Sequence, residues 1–286
     1  MVISVFGTNL IWLPALGNYM LTLYHGDTAV CAAKVRVVLS EKGIEWQGKE
    51  INLGRGDQFD REYLKLNPNG VVPTLVHDGN VLIESTVINE YLDEVFAQKP
   101  LRPEGAYLRA KVRLWTKRED SVHYAINTMT TAIIFRPDLL KKTPAEQSAR
   151  IDSIPDPSRR AKFHELMETG LESKSVIDAL VTFARQFNDM EKALAAGPWL
   201  MGTQFTLADA GLMSFFYRLE MLQIGGLWKE NFPRVSKWFE QVRARPSFQD
   251  AIERFIPASS QDNYRNAGLP AWPVVRAKFA RILKEI

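Results

Sequence analysis

The stretch NPNGVVPTLVHDGNVLIESTVINEYLD, residues 67–93, places a proline inside a strand pattern and two polar residues at a helix start. A cis bond is accessible at Val72-Pro73, because cis costs an X-Pro bond only about 0.5–1 kcal/mol. The Val72 N–H and C=O would then lie outside the sheet, where an extended peptide can pair with them. The helix start at Glu84-Ser85 suits a carboxylate, because its N–H groups are free. The stretch predicts a site for a short anionic peptide; a plain hairpin followed by a serine-capped helix is the alternative.

Cys31 is the one cysteine of the chain and stands at the start of a predicted helix. A helix N-terminus favours a thiolate, and Lys34 and Arg36 follow closely in the sequence. Cys31 is therefore a candidate reactive thiol. A buried and inert cysteine is the other interpretation, since free cysteines are among the most buried residues.

The elements that would hold these residues alternate in type as far as residue 98. The patterns predict strands at Leu21–His25 and 45–53, helices at Val30–Lys42 and 60–66, a hairpin of 74–76 with 81–83, and a helix at 86–96. The order βαβαββα describes a mixed α/β domain over residues 20–98.

A proline-bounded linker at residues 100–103 separates this domain from a helical second half. Apolar spacing predicts a long helix at 106–131 and a packed helix at 176–194. Two further helices are predicted, one from Thr206 and one at 235–244.

Residues 135–162 hold four prolines and many charges, which predicts a long loop with at most one helical turn. The expected organisation is therefore an all-helical domain over residues 106–260, with a C-terminal tail at 261–286.

The composition argues against several classes of protein. The 36 basic and 33 acidic residues are interspersed and leave a net charge of +3, whereas nucleic-acid binding usually shows a clustered basic patch. A single cysteine excludes an intrachain disulfide and a multi-cysteine metal site. We expect a cytoplasmic protein with no metal, no nucleic-acid partner and no membrane partner.

Residues 1–19 are apolar and contain no Lys or Arg, and glycine and proline interrupt them. Such a segment is too short and too broken to span a bilayer. We interpret it as an extension before a fold that opens at Met20, with a cryptic export signal as the alternative.

The order of elements, the Val-Pro break, the Glu-Ser helix start and the helical second half resemble a soluble glutathione transferase over residues 20–255. The resemblance implies a thioredoxin-like first domain, glutathione as co-substrate, a small-molecule electrophile as partner and a homodimer. It also implies that the Val72 backbone pairs with the cysteinyl unit of glutathione and that Pro73 is cis. Glu84 and Ser85 would hold the γ-glutamyl end. GDQF at 56–59 resembles a zeta-class stretch in which Gln58 would reach the glycyl end.

Enzymes of this family lower the pKa of the glutathione thiol with a Tyr or Ser hydroxyl, or keep a Cys that can form a mixed disulfide. CAAKVRVVLSEKG resembles the beta-class segment that begins with its site cysteine, which implies that role for Cys31. Ala32 occupies the position that serine-using classes employ, and Tyr24 stands where tyrosine-using classes place theirs. Three candidates stay open for thiol activation: Cys31, Tyr24, and backbone N–H groups or Thr28.

A second landmark of the resemblance lies in the helical half. GTQFTLAD at residues 202–209 is similar to the family's helical-domain capping box. Thr206 would cap the helix and Asp209 would accept from the Thr206 N–H, which is a structural role.

The stretches LIESTVINEYLDEVF and LRPEGAYLRAKVRLWTK, and residues 154–160 with HELMETGLES, resemble bacterial transferases related to lignin β-aryl ether-cleaving enzymes. Those etherases carry polar residues where this chain has Cys31-Ala32. The resemblance implies attack of the glutathione thiolate on small, aromatic electrophiles. The alternatives are β-aryl ether cleavage or dehalogenation, thiol-disulfide exchange through Cys31, and a non-catalytic ligand carrier. The candidate acceptor-pocket residues are Trp115, His123, Tyr124 and Phe135.

Overall fold

The structure, a computed structural model, describes residues 20–154 and 156–286. The predicted extension at residues 1–19 lies outside the described residues. Among the residues described, no helix has the length and apolar character needed to cross a membrane.

The first domain has the predicted βαβαββα order. Its elements are β1 (Leu21–His25), α1 (Val30–Lys42), β2 (Gln47–Glu50), a 3-10 turn (Asp57–Phe59), α2 (Arg61–Leu66), β3 (Thr74–His77), β4 (Asn80–Ile83) and α3 (Ser85–Val95). The sheet order is β2-β1-β3-β4, with β1 parallel to β2 and antiparallel to β3. This is a thioredoxin-like arrangement, as expected.

Helix α1 is buried almost all round, including its charged residues Lys34 and Arg36. It packs against α3 and β1 of its own domain and against α10 (Leu207–Met221) and α13 (Pro246–Ala251) of the helical half. Because both domains cover α1, its charged side chains must find partners inside the protein.

The second domain is built of helices, with two isolated β-bridges at residues 199–204. Its remaining helices are α4 (Ala106–Thr116), α5 (Glu119–Thr130), α6 (Arg136–Leu140), α7 (Pro144–Asp152), α8 (Pro157–Thr169), α9 (Lys174–Ala193), α11 (Gly226–Lys229), α12 (Pro233–Arg243) and α14 (Ala258–Ile282). The apolar stripe predicted at 176–194 forms the buried face of α9.

The prediction of one helix over 106–131 and a loop over 135–162 was wrong. A turn at residues 117 and 118 divides the predicted helix into α4 and α5. A π-helical turn, Thr131–Phe135, connects α5 to α6. The prolines of the supposed loop start helices instead of breaking them: Pro144 and Pro157 are first residues, where no N–H is needed. Thr143 and Asp156 cap those two helices.

The segment expected to be a tail at 261–286 forms most of α14 and packs on α9 and α10. Its buried residues recur at helical spacing: Tyr264, Gly268, Ala271, Val275, Phe279 and Ile282. That periodicity is present in the sequence, but Pro270 and Pro273 lie inside the helix and obscured it.

The predicted capping box at the start of α10 is confirmed. Thr206 accepts from the Ala208 N–H, and the buried Asp209 carboxylate accepts from the Thr206 N–H at 3.0 Å. The same carboxylate also accepts from the Leu200 N–H and from Trp238 Nε1, each at 2.9 Å. Asp209 therefore ties three segments of the helical domain together.

Candidate active site

The Val72-Pro73 peptide bond is cis, as the resemblance implies. The carbonyl of Val71 points inward, where it accepts from the Tyr63 hydroxyl at 2.6 Å and from Asn67 Nδ2 at 2.9 Å. Both donors also contact Thr74 Oγ1. Because the C=O and N–H of one trans peptide point in opposite directions, the Val72 N–H points outward. It makes no hydrogen bond within the part of the chain that the structure describes.

Helix α3 starts beside this segment without a side-chain cap. Glu84, its N-cap, is exposed and has a φ of 68°, an unusual value for a residue with a side chain. Ser85 follows as the first helical residue and is buried. The first N–H groups of a helix have no intrahelical partner, so this end can receive an anion.

Helix α1 also starts without a side-chain cap, at Ala29. The start of α1 meets that of α3: the Ser85 hydroxyl lies close enough to the Cys31 thiol to lower its pKa, and Lys34 Nζ donates to Thr86 Oγ1 at 2.6 Å. Ala32 packs with Val72 in a small apolar cluster. The positive ends of α1 and α3 and the outward-pointing Val72 N–H therefore lie close together.

Gln58 lies in the 3-10 turn near the segment that leads to Val72. It is buried, and the adjacent Phe59 ring packs against Gly70. The Gln58 Oε1 atom has no hydrogen-bond partner among the described residues. A buried amide oxygen without a partner favours a ligand donor at this position.

The surroundings of Cys31 in the free protein oppose the thiolate that a helix N-terminus favours. Burial raises the pKa of Cys31 to about 11, although Lys34 and the Ser85 hydrogen bond act in the opposite direction. Desolvation of the thiolate outweighs the helix end, because packed elements enclose most of this part of α1, although Cys31 itself is partly exposed. As a catalytic residue, Cys31 stays a prediction.

Tyr24 lies with Ala32 and Val72 rather than with Cys31. Its ring packs on Tyr63 at a centroid distance of 5.8 Å, and its hydroxyl accepts from Lys49 Nζ at 3.3 Å. The Tyr24 side chain also lines an open groove of about 280 Å³ beside α2. A catalytic role of Tyr24 stays a prediction as well.

Of the candidate acceptor residues, Tyr124 and Phe135 are exposed and Trp115 packs against the core. His123 stacks on Phe215 at 6.0 Å. Burial, and then the positive charge of Lys34, lower the pKa of His123 to about 4, so its ring is neutral at pH 7.

Sequence reasoning missed a buried ion pair next to Cys31. Lys34 Nζ lies 2.5 Å from Glu119 Oε2, with the two side chains only 2% and 1% exposed. Burial raises the pKa of Glu119 to about 7, and Lys34 opposes this shift. The pair joins α1 to α5 across the domain boundary, and no local pattern in the sequence indicates it.

Comparison with known proteins identifies this arrangement. Residues 30–95 match the glutathione S-transferase N-terminal domain, and residues 162–246 match the glutathione S-transferase C-terminal domain. Glutathione S-transferase Z1 of Arabidopsis thaliana is 30% identical over 246 residues, 84% of this chain and 95% of that protein. The chain belongs to the glutathione S-transferase family. It is a glutathione transferase, and glutathione is its co-substrate.

Two bacterial members of the glutathione S-transferase family are also similar. Protein LigF of Sphingobium sp. strain SYK-6 is 28% identical over 82% of this chain and 93% of its own length. The crystal structure of LigF, described as a beta-etherase, superposes with a TM-score of 0.73, 27% identity, and coverage of 82% and 99%. The tetrachloro-p-hydroquinone reductive dehalogenase of Sphingobium chlorophenolicum is 25% identical over 80% of this chain and 94% of its own.

Proposed function

We propose that the transferase binds glutathione across the start of α3 and the Val72 edge and that it attacks small aromatic electrophiles with the glutathione thiolate. The observation that carries this proposal is the meeting of two uncapped helix ends at an outward-pointing Val72 N–H. The γ-glutamyl carboxylate would bind at Glu84-Ser85, where α3 offers free N–H groups. The cysteinyl unit would pair with Val72 beside the cis Pro73.

The glycyl unit would lie toward Gln58, where its amide N–H can donate to the buried Gln58 Oε1, which lacks a partner among the residues described. The glutathione sulfur would then approach the first turn of α1. There the unpaired backbone N–H groups and the helix dipole stabilise the thiolate. Of the three routes to thiol activation, we propose this one, because α1 starts without a side-chain cap, whereas the Tyr24 ring packs on Tyr63 and its hydroxyl accepts from Lys49.

The acceptor proposal is supported by two relatives whose names describe an etherase and a reductive dehalogenase. In both proposed reactions the glutathione sulfur forms a bond to carbon, and a phenoxide or halide departs with the electron pair. The test is a panel of aryl ethers, halogenated aromatics and chlorodinitrobenzene, with products identified by mass spectrometry. Turnover of hydroxyethyl disulfide alone would instead favour thiol-disulfide exchange. Glutathione binding without any turnover would favour a ligand carrier.

Ser85→Ala is expected to weaken glutathione binding by about 1–3 kcal/mol, roughly 5- to 150-fold in Kd. The reason is that a hydrogen bond to a charged group is lost in a buried position. Isothermal titration calorimetry measures the change. Ser158→Ala is the matched control, because Ser158 also lies in the first turn of a helix but is exposed. Unchanged affinity in a folded Ser85→Ala variant would contradict the proposed site.

We also propose a cytoplasmic homodimer. Large apolar side chains stay exposed on neighbouring α3 and α4: Val87, Val95, Tyr107, Leu108 and Leu114. Tyr107 is 72% exposed and Leu114 is 56% exposed, which favours a partner surface. Light scattering is expected to show a dimer at micromolar concentration, and Leu114→Glu to shift it toward monomer. A wild-type monomer would contradict the proposal.

A further inference from the structure

The loop between β1 and α1 is held through its carbonyl groups by two buried arginines. Arg36 donates to the Gly26 carbonyl at 3.0 Å and to the Asp27 carbonyl at 3.1 Å. Arg218 donates to the carbonyl of the next residue, Thr28. Hydrogen bonds from a charged donor are among the stronger ones in proteins. Three consecutive carbonyls therefore point toward guanidinium groups.

Arg218 belongs to α10, in the helical domain, and is only 6% exposed. Its other terminal nitrogen, Nη1, lies 3.4 Å from Thr130 Oγ1, and its guanidinium lies 4.9 Å from the Tyr264 ring centre. The third nitrogen, Nε, has no hydrogen-bond partner among the described residues. Contacts from α5, α10 and α14 thus fix the guanidinium that holds the Thr28 carbonyl. Ser214, also on α10, donates to the Val30 carbonyl at 2.9 Å.

The direction of the Thr28 carbonyl decides the direction of the next N–H group. The Thr28 C=O and the Ala29 N–H belong to one peptide unit and point in opposite directions. The Ala29 N–H therefore points away from Arg218. Ala29 packs with the cluster of Ala32 and Val72, on the side where the proposed thiol site lies. Within the described residues this N–H makes no hydrogen bond.

We propose that Arg218 is a positioning residue of the helical domain that aims the Ala29 N–H at the glutathione sulfur. The inference rests on the proposed function and adds that thiol activation depends on a residue of the second domain. Arg218 does not touch the sulfur. It acts through the peptide unit between Thr28 and Ala29, where an aimed backbone donor stabilises developing negative charge.

The test measures the pKa of the bound glutathione thiol in three variants. These are Arg218→Met, Arg218→Lys and the control Arg245→Met. That pKa is followed through the ultraviolet absorbance of the thiolate. Arg218→Met is expected to raise this pKa by about one unit and to leave the glutathione KM unchanged. Because one pKa unit lowers the thiolate fraction by at most about tenfold, kcat with chlorodinitrobenzene at neutral pH is expected to fall by up to about tenfold. Arg218→Lys is expected to show a smaller shift, because one ammonium can still donate to the Thr28 carbonyl.

Arg245 is the control because it also joins the two domains through a guanidinium. It binds Glu41 near the far end of α1, with donor distances of 2.7 and 2.6 Å, and does not contact the loop. Arg245→Met is expected to leave the thiol pKa unchanged. An equal shift in Arg245→Met, or an unshifted thiol pKa in Arg218→Met, would overturn the proposal. If Arg218→Met does not fold, Arg218→Gln takes its place, because it lacks the charge that holds the Thr28 carbonyl, and a wild-type thiol pKa in folded Arg218→Gln overturns the proposal.

Wild-type measurements separate this inference from the proposed function. If wild-type protein neither binds nor turns over glutathione, the proposed function fails. If wild-type protein does both and the Arg218 variants keep the wild-type thiol pKa, only the positioning role fails.

Discussion

Glu119→Ala is expected to lower the free energy of unfolding by about 3–5 kcal/mol, because it leaves the Lys34 ammonium buried without its counter-ion. Lys34 is 2% exposed, and its Nζ donates a hydrogen bond to the uncharged Thr86 hydroxyl. Gly211 of α10 shows how closely the carboxylate is enclosed, since a methyl group there would overlap the Glu119 oxygens. Urea denaturation followed by circular dichroism measures the change.

Two further variants make this measurement specific to the buried ion pair. Lys34→Met with Glu119→Leu is expected to recover most of the lost stability, because neither charge remains in the interior. Asp178→Ala breaks the exposed pair between Lys174 and Asp178 and is expected to cost less than about 1 kcal/mol. A loss below about 1 kcal/mol for Glu119→Ala would show that solvent reaches Lys34 and that the pair is not buried.

Cys31 is expected to react with iodoacetamide at pH 7 about 100-fold more slowly than an exposed cysteine. Its pKa is raised from 9.0 to about 11 by burial, and only the thiolate reacts. The labelling rate is expected to rise about tenfold per pH unit up to the region of that pKa. The reference is Ser153→Cys in a Cys31→Ala background, because Ser153 is exposed on the second domain. Mass spectrometry gives both rates.

The same background tests the route of thiol activation. Cys31→Ala is expected to retain conjugation, because the α1 backbone N–H groups are unchanged, and to abolish any disulfide reduction. Labelling of Cys31 as fast as the reference cysteine, together with loss of conjugation in Cys31→Ala, would instead make Cys31 the catalytic residue.

Local sequence signals predicted the first domain well. The bounds of β1 and α1 were predicted to the residue, and the expected Thr206-Asp209 box is present. The interpretation of residues 135–162 was wrong, because a proline is compatible with a first helical position and incompatible with most later ones. Capping residues at Thr143 and Asp156 were the signal that distinguishes the two cases.

Sequence alone determined the features that depend on neighbouring residues: the strand and helix order, the Val72-Pro73 edge, the Glu84-Ser85 helix start and the family resemblance. Backbone geometry is local, so a short motif can specify it. The tertiary structure decided which charges are buried and what they contact. Lys34 and Arg36 of α1 meet Glu119 and the Ala251 carbonyl, which are distant in the chain. The pKa of Cys31 follows from that packing, because desolvation depends on every element that excludes water from the thiol.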